Sequence, residues 1–143
     1  MHSVAVLMST YNGSEFLAQQ IDSILAQRDV DVRLVIRDDG SSDNTIEIAN
    51  SYSTAKVTVM SGENLGYAKS FWRLLGETSG ADFYAFGDQD DIWLPDKLKR
   101  SIDSIAHIDG PALSTGNVIQ VNEYGAAVRG EPFPKHGPLT LSE

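Results

Sequence analysis

Three carboxylates crowd into the four residues Asp88-Gln89-Asp90-Asp91, just after Gly87 and the apolar run Phe83-Tyr84-Ala85-Phe86. Acids packed that closely repel one another unless a cation sits among them, and hard carboxylate oxygens suit Mg²⁺ or Mn²⁺. Mg²⁺ usually combines one or two carboxylates with waters and substrate phosphates, so the loop points to phosphate chemistry. A second acidic pair, Asp38-Asp39, stands before Gly40-Ser41, and Thr10-Tyr11-Asn12 follows soon after the apolar run Val4-Ala5-Val6-Leu7-Met8. By residue type each group also has a plainer reading. Asp38-Asp39-Gly40-Ser41 suits an Asx turn and helix cap, the Asp88 loop suits a solvated turn, and Tyr11 suits a cover for the sheet as well as a base-stacking surface. Lys69 and Arg73 fit solvated helix charges as well as diphosphate contacts.

The pattern around these residues says which elements must position them. Val4 to Met8 reads as a buried strand running into the turn-forming Ser9 to Gly13. From Ser14, a fitting cap, the apolar residues Leu17, Ile21, Ile24 and Leu25 have helical spacing. The alternation repeats: strand Val32 to Ile36, a polar loop, and an acid-started helix from Asp43 to about Tyr52. Then come a strand from Lys56 to Met60, a helix carrying Ala68, Phe71, Leu74 and Leu75, and a strand from Phe83 to Phe86. Pro95 suits the first turn of a further helix bearing Leu98, Ile102 and Ile105, stopped by Gly110-Pro111. Val118 to Val121 and Ala126 to Val128 fit a hairpin.

Strands that are nearly all apolar and alternate with helices imply an α/β fold, with a mostly parallel sheet covered on both faces and right-handed crossovers. In such sheets ligands bind beyond the carboxyl ends of the strands. Thr10-Tyr11-Asn12, Asp38-Asp39 and Asp88 to Asp91 each lie at such an end and are expected to converge. Trp93, Leu94 and Pro95 are expected to anchor the last of these loops on the core.

Length and composition narrow the function. A chain of 143 residues, 41% hydrophobic and 22% charged, is one ordinary folded domain. Its net charge of −9, from 11 basic and 20 acidic residues without a basic run, makes nucleic acid a poor partner. The absence of cysteine excludes disulfides, thiolate metal sites and a cysteine nucleophile, and it fits the cytoplasm. Val4 to Met8 is far short of the ~20 residues of a membrane span and lacks a signal peptide's basic flank. The expectation is therefore neither a membrane span nor an export signal in this chain, with residence at a membrane surface left open. His2, His107 and His136 share no short spacing with the acids, and no GxSxG, Walker or GxGxxG motif occurs.

Taken together, four segments carry a resemblance: Val6-Leu7-Met8-Ser9-Thr10-Tyr11-Asn12-Gly13, Ile36-Arg37-Asp38-Asp39-Gly40-Ser41-Ser42-Asp43, Glu63-Asn64-Leu65-Gly66 and Asp88-Gln89-Asp90-Asp91. From Val4 to about Val128 the chain resembles the inverting family 2 glycosyltransferases, whose A-type, Rossmann-like nucleotide-diphosphosugar transferase fold binds a UDP- or dTDP-sugar. The resemblance implies that Thr10 and Tyr11 line the base pocket, with Tyr11 on a pyrimidine ring, and that Asp38 or Asp39 accepts a hydrogen bond from the base imide. It makes Asp88 and Asp90 the DxD pair: Asp90 holds Mg²⁺ or Mn²⁺ against the diphosphate, Asp88 meets ribose or metal-bound water, and Asp91 is a supporting or second metal contact. The acceptor it implies is a saccharide or lipid-linked saccharide.

In the family the general base follows the DxD segment. Asp96 is too near that segment, and Glu123 and Glu131 lie in no base motif, so the base is expected beyond Glu143. Residues 1–129 are then a donor-binding domain and 130–143 a loop-like tail leading to an acceptor half. The run from Asp88 to Leu98 is similar to bacterial rhamnosyltransferases, which implies a dTDP-rhamnose donor, cell-surface polysaccharide synthesis, and a place in the cytoplasm or at the inner membrane surface. Two rival readings have weaker motif support. A sugar-nucleotide nucleotidyltransferase would carry a Gly-rich, Arg-containing loop where Ser9 to Gly13 stands, and a non-catalytic nucleotide-sugar binding module would need no base.

Overall fold

The computed structural model describes residues 1–122, 124 and 126–128. The tail 130–143, the expected boundary at 129/130, and Glu123, Glu131 and His136 lie outside the described residues. The chain forms two compact units, one of Met1–Arg100 and one from Ser101 onward.

In the first unit β1 (His2–Thr10) and β2 (Val30–Asp38) form the centre of a parallel sheet. Both run longer than their apolar cores imply. Main-chain pairing continues from His2 against Val30 to Thr10 against Asp38, and the Asp39 N–H donates to the Thr10 carbonyl at 2.8 Å. At the other end Asp82 accepts from the Ser3 N–H at 2.8 Å, clasping the start of β1 to the segment before β4. Polar residues are thus carried in strand geometry right up to the site.

The helix α1 (Leu17–Leu25) starts later than the pattern predicts. Ser14 does not cap it. Its N–H donates instead to Asp43 Oδ2 at 3.2 Å, and the Gly13 carbonyl closes the turn by accepting from Phe16 and Leu17. Likewise α2 (Thr45–Ser51) begins after Asp43, whose carboxylate accepts from the Thr45 N–H and hydroxyl. The strands β3 (Val57–Ser61) and β4 (Phe83–Gly87) and the helix α3 (Tyr67–Glu77) lie close to expectation, and α4 (Lys97–Ile105) follows Pro95.

The sheet order is β3-β2-β1-β4, parallel throughout. Two crossovers step outward from β1, and the third returns to place β4 on β1's other side. Right-handed crossovers in opposite directions put α3 on the face opposite α1 and α2. The α3 face buries Ala5, Leu7, Val35 and Leu74, with Met60, Phe71 and Leu75 packed against them. Alternation sends Val6, Met8, Leu34 and Ile36, all fully buried, to the other face.

Two expectations are corrected. The cover on both faces holds for β1 and β2 but not for the edge strand β4, where Tyr84 and Phe86 are 39% and 53% exposed, because α3 packs over β1 and β2. The Leu94 side chain does not anchor the acidic loop, being exposed. Pro95 is exposed as well, and of the three side chains Trp93 is the buried one, packed against Gly87, where an added Cβ would lie 3.1 Å from the indole.

In the second unit, among the described residues, the two expected hairpin segments pair through an antiparallel bridge, Val121 with Ala127, flanked by an Asn122 N–H to Ala126 carbonyl bond of 2.9 Å and a Val128 N–H to Gln120 carbonyl bond of 2.8 Å. Asn122 Oδ1 also accepts the Tyr124 and Ala126 N–H groups, at 3.1 and 3.0 Å. No described helix is long and apolar enough to cross a membrane.

Candidate functional site

A cleft of about 430 Å³ opens at the carboxyl ends of β1 and β4, where the strand order reverses. Its wall includes Thr10, Tyr11, Asp39, Asp88, Gln89 and Asp90, so the three polar loops do converge. Ser9, Asn64, Gly66, Tyr67 and Phe71 complete it. Asp38 and Asp91 do not line it. Lys69 and Arg73 stay outside as well, with Arg73 paired to Glu77 on the exposed face of α3 at 2.8 Å.

The first two loops are stitched together by side chains. Buried Thr10 donates its hydroxyl to Asp38 Oδ1 at 3.1 Å, and Asp38 Oδ2 accepts the Ser41 N–H at 2.9 Å. Asp38 therefore holds the turn, as its Asx reading implies. Asn12 adopts a left-handed φ of 48°, a conformation Asn tolerates, and its side chain accepts the Ser42 N–H at 2.8 Å. The Asn12 and Gly13 N–H groups donate to Ser41 Oγ and Thr45 Oγ1. Asp43 closes the seam by accepting from Thr45 and Ser14, which hold its carboxyl down at about 2 against the opposing effect of burial.

Asp39 sits on the cleft wall in a buried charge cluster. The Leu65 and Gly66 N–H groups each donate to it at 2.8 Å, and the Arg37 guanidinium pairs with its Oδ1. Burial pushes this carboxyl up, but the two N–H groups and Arg37 outweigh it and hold the pKa below the usual aspartate range. Arg37 is itself buried and also donates to Ser70 Oγ at 3.1 Å and to the Glu63 carbonyl at 3.0 Å. One cation thus ties β2, the loop after β3 and α3 together behind the cleft.

The acidic loop is held by two glutamines. Gln20, fully buried on α1, donates to the Asp88 carbonyl at 2.8 Å. Gln89 Oε1 accepts the Tyr11 N–H at 2.9 Å, and its Nε2 donates to the Tyr11 carbonyl at 3.1 Å. Beyond the loop, Trp93 N–H donates to Ser23 Oγ, and Gln27 bonds both the Leu94 carbonyl and the Leu98 N–H. Asp88 and Asp90 are exposed at the cleft, with Asp91 half-buried behind them. Burial raises the Asp91 pKa, and the neighbouring charges of Asp88 and Asp90 raise it further, with Lys97 and Trp93 opposing.

Among the described residues no three acidic or histidine side chains are grouped as a closed metal site. The loop nevertheless fits a divalent ion chemically. It offers hard, exposed carboxylates whose mutual repulsion a cation would relieve, leaving the remaining coordination to phosphate and water. Gln20, Gln27, Arg37 and Gln89 were not singled out from the sequence. The first two do leave a signal: Gln20 lies three residues after Leu17 on the apolar stripe of α1, and Gln27, just past the helix end, lies three after Ile24.

The glycosyl transferase family 2 model matches residues 5–126. The chain belongs to glycosyl transferase family 2. Within the family it is 36% identical over 119 residues to a dTDP-rhamnosyl transferase of Shigella flexneri, a match covering 78% of this chain and 41% of that protein. Among solved family-like structures, S. aureus TarS in complex with UDP superposes with a TM-score of 0.61 at 26% identity, over 71% of this chain and 32% of that one. Glucosyl-3-phosphoglycerate synthase of Mycobacterium tuberculosis, in complex with Mn²⁺, UDP and glucosyl-3-phosphoglycerate, gives 0.60 at 25% identity, over 74% and 40%. The sheet and its flanking helices are thus the nucleotide-diphosphosugar transferase fold, and this family 2 chain spans less than half the length of the Shigella relative and of these two structures.

Proposed function

We propose that this family 2 chain carries the donor site of an inverting, metal-assisted glycosyltransferase. In this reading residues 1–129 are the donor-binding domain and 130–143 lead toward an acceptor-binding part. The observation that carries it is the convergence of Tyr11, Asp39 and the Asp88 to Asp90 loop on one cleft at the strand reversal.

Thr10 and Tyr11 form the base pocket, with the half-exposed Tyr11 ring packing on a pyrimidine. Between the two candidate acids, Asp39 is favoured for the base imide. It lines the cleft, Asp38 does not, and Asp39 Oδ2 keeps acceptor capacity beside its bond from Gly66. Asp38 acts through Thr10 and Ser41, holding the pocket's shape. Asp90 is the primary holder of Mg²⁺ or Mn²⁺, Asp88 meets ribose or metal-bound water, and Asp91 supports them. Bound there, the ion supplies Lewis-acid neutralisation of the departing diphosphate and a template for its orientation. Inversion takes a general base within reach of the acceptor hydroxyl, which we assign to no described residue and place beyond Glu143.

The donor class is a dTDP- or UDP-sugar, with the Shigella relative favouring rhamnose. The acceptor is a saccharide or lipid-linked saccharide of a bacterial surface polysaccharide, met in the cytoplasm or at the inner membrane surface. Calorimetry with dTDP and UDP tests the donor site: each should bind more tightly with Mn²⁺ than with chelator, and Asp90→Ala should remove most of the difference. Binding of neither diphosphate in the presence of metal would refute it.

A further inference from the structure

Gln89 stands between the paired acids of the loop, yet its side chain turns away from them. Both ends of its amide are spent on one residue of another loop, accepting the Tyr11 N–H at 2.9 Å and donating to the Tyr11 carbonyl at 3.1 Å. This two-point pairing mimics a main-chain ladder between loops 78 residues apart in sequence. It needs space: a Cβ on buried Gly13 would lie 2.2 Å from Gln89 Oε1 and 2.3 Å from its Cδ, a separation real side chains do not show. Gly13 requires no left-handed backbone, so what bars a side chain there is the Gln89 amide.

The two partners are unequally secured. The Tyr11 loop is independently stitched to the loop after β2 through Asn12, Gly13 and Ser14. The residues of the acid loop at the cleft are held by Gln89 and by Gln20, which reaches the Asp88 carbonyl. Releasing Gln89 therefore loosens the acids, leaving the loop only its Gln20 bond at Asp88, and keeps the base side of the cleft in place.

We propose that Gln89 is the positioning residue that sets the Asp88 to Asp91 loop in register with Tyr11, with Gly13 as the socket that admits it. The inference rests on the donor-site reading above: Gln89 fixes the span between the part that takes the base and the part that takes the metal and diphosphate. Glutamine suits the place because its amide presents a donor group at one end and an acceptor at the other. Glutamate would set an oxygen against the Tyr11 carbonyl, and asparagine is one methylene short.

The test is a double-mutant cycle on Mn²⁺-dependent binding of dTDP, with thermal unfolding as a control for folding. Gln89→Ala should cut the Mn²⁺-dependent gain in dTDP affinity on the order of tenfold, as for two lost hydrogen bonds, and change metal-free dTDP binding by less than about threefold. Gly13→Ala should produce a similar loss by displacing the amide. In the Gly13→Ala/Gln89→Ala double variant the loss should match that of Gln89→Ala alone, because the socket is then empty. A full Mn²⁺-dependent gain in Gln89→Ala overturns the clamp, as does a double variant whose losses add. Absence of Mn²⁺-dependent dTDP binding in the unsubstituted protein instead overturns the donor-site reading itself, so the two failures are distinct. Should Gln89→Ala fail to fold, Gln89→Glu carries the same test: a normal metal-dependent gain in that variant also overturns the clamp.

Discussion

Replacing Arg37 with methionine separates a buried ion pair from ordinary packing, because methionine fills the space of the arginine stem without its charge. The side chains of Arg37 and Asp39 are 4% and 3% exposed, so water cannot take over when one partner leaves. Removing one member of a buried pair costs about 3–5 kcal/mol. Asp39 keeps the Leu65 and Gly66 N–H donors, which places the expected loss near the lower end, about 3 kcal/mol at pH 7.

The pH dependence identifies the cause. In the intact protein the folded pKa of Asp39 lies below its unfolded value, so its contribution is present above the unfolded value and is lost as pH falls through the folded one. Without Arg37, burial is opposed only by the two N–H groups, and the folded pKa rises. The deficit of Arg37→Met relative to the intact protein should therefore shrink as pH falls from neutrality through the variant's raised folded pKa and on to that of the intact protein, below the usual aspartate range. Urea unfolding at a series of pH values measures both quantities. A loss below about 1 kcal/mol at pH 7, or a deficit that does not shrink as acidification carries both proteins through the titration of Asp39, would refute the reasoning.

Tyr11→Ala should weaken dTDP binding about tenfold through lost ring stacking while leaving the unfolding midpoint nearly unchanged, since Tyr11 is 49% exposed; calorimetry that finds equal affinity would count against its base-stacking role. Trp93→Ala should cost about 3–5 kcal/mol in urea unfolding, because the buried indole packs against Gly87 and carries Lys97 above its ring at 4.8 Å; a loss under 1 kcal/mol would show that the indole contributes no anchoring to the core.

What was legible in the sequence follows from periodicity. The apolar runs of β1 and β2 and the helical spacing in α1 and α3 give the α/β order, and that order alone brings Thr10-Tyr11, Asp38-Asp39 and Asp88 to Asp91 to one end of the sheet. The exchange of roles at helix starts was not legible. Ser14 looks like a cap, but the competing acceptor Asp43 lies in another loop, and only the fold brings the two together. The division between Asp38 and Asp39 was hidden for the same reason. Neighbouring acids in a strand point to opposite faces, and which face carries the cleft depends on where α3 returns. Exposure of Tyr84 and Phe86 likewise depends on sheet order, since an apolar strand reads the same at the edge as at the centre.

The most direct test of the account is a crystal structure of this protein with dTDP and Mn²⁺, collected so that the anomalous signal of manganese locates the ion. The account predicts one strong peak bound by Asp90 and the diphosphate, with the thymine ring against Tyr11 and its imide facing Asp39. A diphosphate bound away from the Asp88 to Asp91 loop, or manganese at a different cluster with nucleotide present, would contradict it.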